Sequence, residues 1–154
     1  HFGSKNGLFL AVVESAHDER FRLMQEAAAR HRSFKDQLAA ILDALFRFAR
    51  THRDLTRITF ATAFAASKEN PCARIHPRKK RRNFDFMHSL VRRAIASGEL
   101  SLEFESRELT AAILSQILFN ALIQTLRQPP PHWKAMKAGR VVKLFLHGAA
   151  ARKK

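Results

Sequence analysis

The sequence predicts an all-α fold of about six helices. Three observations carry that expectation. Five Gly and five Pro in 154 residues are few for a β-rich or unstructured chain. Apolar residues recur at three- and four-residue steps along most of the sequence. The one period-two run, Leu100, Leu102 and Phe104, is short and has no partner strand, so it reads as a loop.

The first helix is expected over residues 5–31, with Ser4 as its N-cap. Its apolar side is Leu8, Phe9, Val12, Val13, Ala16, Leu23, Met24 and Ala27, and charge increases beyond Ala16. A second helix is expected over 33–51, capped by Ser33. Its stripe is Phe34, Leu38, Ile41, Leu45 and Phe48, widened by Leu42, Phe46 and Ala49. Asp36 in its first turn and Arg47 and Arg50 in its last match the helix dipole. A third, over 54–67, turns Leu55, Ile58, Ala61, Phe64 and Ala65 to one side, with Phe60 beside them. Asn70-Pro71 opens a loop that the sequence carries to residue 82. A fourth helix, over 83–97, holds Phe84, Met87, Leu90, Val91 and Ile95 and stops at Gly98. The fifth, over 107–127, ends before three consecutive prolines, and the sixth is expected over 132–152.

The fifth helix is apolar nearly all round. Leu109, Ile113 and Ile117 lie on one side, and Leu114, Leu118, Ala121 and Leu122 on another. Such a helix must be covered on both sides. One side suits the core of the chain, and a second copy suits the other. The sixth helix is also broadly apolar. The expected interface is Leu114, Leu118, Ala121, Leu122, Val141, Leu144 and Phe145, with the last two helices of each chain forming a four-helix bundle about a two-fold axis. A central hairpin buried in a monomer is the alternative. Gln116, Asn120 and Gln124 recur every fourth residue and read as the polar rim of that interface, ahead of a ligand-binding row.

Composition bounds the chemistry. A single Cys, Cys72, excludes an intrachain disulfide and suits a reducing compartment. The 109–126 stretch contains too many Thr, Ser, Gln and Asn for a membrane span, so no membrane partner is expected. No phosphate cradle or nucleophile motif occurs, no two His lie three or four apart, and no acid follows Glu108. No catalytic residue, cofactor or metal is therefore expected. The net charge is +15, and residues 71–93 hold eight bases against one acid. That excess attracts polyanions. The run Arg78-Lys79-Lys80-Arg81-Arg82 has no interleaved aromatic, so it would attract phosphates without reading bases. A basic module that binds nucleic acid or anionic membrane by charge alone is the alternative function. Thirteen Phe with one Trp and no Tyr supply apolar bulk with few polar handles. Phe48, Phe60, Phe64, Phe84 and Met87, with Phe119, are candidates to line a ligand pocket; core packing is the alternative for each.

The opening HFGSKNGLF resembles the junction between the DNA-reading head and the body in the TetR/AcrR family of transcriptional regulators. His1, Phe2, Gly3, Ser4, Lys5, Gly7, Leu8 and Phe9 match, and Asn6 stands where Glu is usual. The SGEL turn at 97–100, the apolar fifth helix and RVVKLFLHGAAAR support the likeness more loosely. The resemblance implies that residues 1–5 are the remnant of an N-terminal helix-turn-helix and that 6–154 form a ligand-binding and dimerisation domain. It further implies a cytoplasmic homodimer, usually a repressor, that releases operator DNA when a small effector shifts the first long helix. Two heads must sit about one DNA turn, roughly 34 Å, apart to enter successive major grooves. By position, His1 and Lys5 would contact DNA phosphates, and Phe2 and Phe9 would form the hinge. The positive charge favours an anionic amphiphile as effector, among small apolar or amphipathic molecules.

Overall fold

The computed structural model describes residues 4–64, 77–129, 131–132 and 135–148, without the side chains of 63, 64 and 77–80. Among the described residues it is helical throughout, with no strand: α1 (Lys5–Ala29), α2 (Phe34–Thr51), α3 (Arg53–Phe64), α4 (Pro77–Ala96), α5 (Ser106–Thr125) and α6 (Ala138–His147). No helix among these residues is long and apolar enough to cross a membrane.

The helix α2 is the centre of the fold and packs against all five others. Its stripe supplies Leu38, Ile41, Leu42, Leu45 and Phe46 to one core. Met24 and Ala28 of α1, Met87, Leu90 and Val91 of α4, Ile113 and Ile117 of α5, and Val141 and Val142 of α6 complete it. Fully burying one such side chain contributes about 1.5–3 kcal/mol, so this contiguous cluster is the main driving force.

Local signals set most of the boundaries. Ser4 Oγ accepts from Gly7 N at 3.0 Å and starts α1. Ser33 Oγ accepts from Asp36 N at 3.1 Å and donates to Asp36 Oδ2 at 2.7 Å, starting α2. Gly98, at φ +78°, ends α4 in a left-handed turn, with Glu99 N donating to Ala94 O and Gly98 N to Ile95 O. That turn aims Glu99 across the fold. Its Oε2 accepts from Phe34 N at 2.7 Å, so a carboxylate 65 residues away satisfies a free amide at the start of α2.

Three expectations need correction. First, residues 77–82 are helix, not loop. Pro77 is the first residue of α4, where proline's fixed φ and missing N–H cost nothing. Second, α6 starts at Ala138 rather than 132. Residues 131–132 form a turn, and the Met136 amide is held by Asn120 Oδ1 at 3.0 Å instead of entering a helix. Third, α3 is rotated from the expected orientation. Ile58 is exposed, and Thr56 and Thr59 face inward. The Thr59 hydroxyl is tolerated because threonine can bond back to its own helix, as it does to Thr56 O at 2.8 Å.

Candidate functional site

With Thr56 and Thr59 on its inward face, α3 adds none of its described side chains to the main apolar cluster. A cavity of about 290 Å³ remains between it and the rest of the body. His17, Arg20 and Met24 of α1, Leu45, Phe48 and Ala49 of α2, and Thr56, Thr59 and Phe60 of α3 line it. Asn83 of α4 and Leu114, Ile117, Leu118 and Ala121 of α5 complete the wall. Mostly apolar walls with a few convergent polar groups are the general make-up of a small-molecule site.

The polar groups cluster around Arg20. Its Nε donates to Ala16 O at 3.3 Å and one terminal nitrogen to Thr59 Oγ1 at 3.5 Å. The other lies 3.0 Å from His17 Nδ1, which accepts because a guanidinium can only donate. Burial, and then the nearby Arg82 charge, lower the Arg20 pKa to about 10. The group stays charged at neutral pH but is held there at a cost. That cost is present below about pH 10. As the pH rises through that value the folded chain releases the proton before the unfolded chain does, and the cost is relieved. Arg82 itself pairs with Asp18 Oδ1 at 2.6 Å and lies 4.7 Å from the centre of the Phe21 ring. One member of the basic run is therefore folded onto α1.

Two more polar groups complete the site. Thr56 is 2% exposed, and its Oγ1 has no hydrogen-bond partner; nor has the buried Oδ1 of Asn83. Unpaired buried polar atoms are uncommon in folded proteins.

The structure brings together only part of the expected pocket. Phe48 and Phe60 line the cavity. Met87 does not: it is fully buried in the main core. Phe84 packs on His88 instead, with ring centroids 5.7 Å apart, because the neighbouring Asn83 takes the cavity-facing position. Phe119 lies on the outer side of α5, away from the cavity. The side chain of Phe64, and all of His1 and Phe2, lie outside the described residues. Lys5 is exposed in the first turn of α1, and Phe9 is half-buried against Val13.

The expected interface divides in the same way. Leu118, Phe119 and Leu122 of α5 and Leu144 of α6 are between 37% and 47% exposed. Leu114 and Ala121 face the cavity, although Leu114 also packs on the core. Val141 is 2% exposed and Phe145 packs on the core, so Val141 has little surface to offer a second chain. Asn120 is not part of a rim. It is 2% exposed, donates to Gln116 O at 2.9 Å and accepts from Met136 N.

Arg20 and Thr56 were not anticipated from the sequence. A signal for Arg20 existed: it lies four residues after Ala16 and four before Met24, in the gap of the apolar stripe of α1. A charged residue at an inward position is held there by a partner or awaits one. Comparison against known protein families, curated proteins and solved structures finds no match to this chain.

Proposed function

We propose that the chain is the sensing and dimerising body of a TetR-type transcriptional regulator, most simply a repressor. The observation that carries this reading is the cavity lined by α1, α2, α3 and α5, with Asn83 of α4. It joins the helix that would transmit a signal to the helix that would meet a second chain. Ser4 lies roughly 24 Å along α1 from Arg20, at about 1.5 Å per residue. A tilt of about 5° driven from the cavity therefore moves Lys5 by roughly 2 Å. In a dimer both first helices would move, and the spacing of two DNA-reading heads would change. Effector and operator then favour different members of one ensemble, each weakening the other's binding. The junction motif at residues 1–9 supports the same reading.

The exposed row Leu118, Phe119, Leu122 and Leu144 suits the dimer contact. The rival reading, binding by charge alone, draws on residues 78–82, and the pairing of Arg82 with Asp18 takes one of those charges out of play. Sedimentation equilibrium tests the proposal most directly. A dimer at low micromolar concentration is expected, and a monomer at high micromolar concentration would overturn it. In a protein carrying the head, a mobility shift on DNA flanking its own gene should weaken when the effector is added.

A further inference from the structure

We infer that the cavity takes a small monoanionic amphiphile, with its carboxylate on Arg20 and within reach of Thr56 and Asn83, and its apolar body against Phe48, Phe60 and Leu114. This rests on the reading of the cavity as a sensor site and names the chemical class of its effector.

The chemistry of the lining selects that class. No Asp or Glu is among the lining residues, and Arg20 has no carboxylate partner among the described residues. A guanidinium in such a place is stabilised by an anion, and its planar fork suits a carboxylate. Arg82 also lies close enough to disfavour the Arg20 charge, although its own charge is offset by Asp18. A cationic ligand would add repulsion, and a wholly apolar one would cover Arg20 without pairing it.

Thr56 points to a ligand independently of Arg20. Its hydroxyl is buried and unpaired beside the cavity, and it can donate to a carboxylate oxygen. The Asn83 amide, whose oxygen is unpaired, can present either its oxygen or, turned over, its N–H₂ group. The remaining walls are hydrocarbon and aromatic. A volume of about 290 Å³ accommodates roughly ten non-hydrogen atoms, at about 30 Å³ for each water-sized unit. A medium-chain fatty acid or an arylpropionic acid fits that size. The two share the carboxylate, and the test distinguishes them.

Isothermal titration of the 154-residue chain with octanoate, 3-phenylpropionate, octanamide and octylamine provides the test. At least one acid should bind about tenfold or more tightly than octanamide, the scale of a charge-assisted hydrogen bond, and octylamine least tightly. Which acid is preferred tells a chain-shaped from a ring-shaped effector. Arg20→Gln should abolish the preference for the acid over the amide. Thr56→Val should weaken the acid more than the amide. Binding of octanamide or octylamine as tight as the acids would overturn the inference and leave the sensor reading standing. Binding of none of the four would overturn both. The comparison of acid with amide on the unsubstituted chain decides the matter even if Arg20→Gln fails to fold.

Discussion

Replacing Asn120 by Ala should destabilise the chain far more than the same change at Gln116 or Gln124, one turn away on either side. The three residues are equivalent by spacing, but their surroundings differ. Asn120 is 2% exposed and its Oδ1 accepts the Met136 amide at 3.0 Å, which fastens the α5–α6 connection to α5. Asn120→Ala leaves that amide without an acceptor, at a cost of about 1–3 kcal/mol. In a chain of this size that corresponds to a fall in Tm of about 2–12 °C. Gln124 offers only a 3.4 Å contact to exposed Arg50, and the Gln116 side chain has no part in the link, since Asn120 bonds its backbone oxygen. Each of those two substitutions should cost under about 0.5 kcal/mol. Urea denaturation followed by circular dichroism measures all three. Asn120→Leu restores bulk but no acceptor, so it should remain destabilising if the hydrogen bond matters. Hydrogen exchange at Met136 gives a local readout and should accelerate in both Asn120 variants. An Asn120→Ala chain as stable as its parent, with Met136 equally protected, would refute the reasoning.

Three further outcomes are expected. Glu99→Ala removes the acceptor for the Phe34 amide and should cost about 1–2 kcal/mol by denaturant melts, with Glu99→Gln losing less because it keeps an oxygen there. The hydrogen bond from Arg22 holds the Glu19 carboxyl below its ordinary 4.5. The stability this confers is present above pH 4.5 and lost as pH falls through the lowered value; NMR titration should show the low value in the parent and its return toward 4.5 in Arg22→Gln. Phe119→Asp, or Leu122→Asp, places a charge in the exposed row of α5 and should yield a monomer in sedimentation velocity with its helical signal intact. A dimer that survives both changes would move the interface elsewhere.

The fold was largely legible where a local pattern decides it. The stripe of α2, the caps Ser4 and Ser33 and the stop at Gly98 each follow from a few neighbouring residues. Errors arose where tertiary contacts outweigh local pattern. Pro77 is equally compatible with a loop and with the first turn of a helix, and only packing chooses. The orientation of α3 went unseen because Thr56 and Thr59 look like surface residues, and only the fold shows the Thr59 hydroxyl bonded within the helix and the Thr56 hydroxyl turned to the cavity. Asn120 looked like one of three equivalent amides because its partner lies 16 residues ahead. The candidate site was half legible. Phe48 and Phe60 follow from aromatic bulk on inward faces. Met87 and Phe84 have comparable apolar bulk and miss the cavity, since which side of a helix meets a void depends on how the helices fit together. Arg20 broke an apolar period and could have been read from that break.

Leu118 occupies an unusual position: it lines the cavity and also belongs to the exposed row that suits a second chain. One side chain thus has two potential neighbours, a small molecule within and another subunit without. A ligand that shifts Leu118 changes the shape of the surface on which a partner would rest. Thermodynamic linkage then makes the effect mutual: the factor by which a ligand tightens or loosens pairing is the factor by which pairing tightens or loosens the ligand. Measured affinity for any effector should accordingly vary with protein concentration, and titrations at a single concentration would give only one point on that curve.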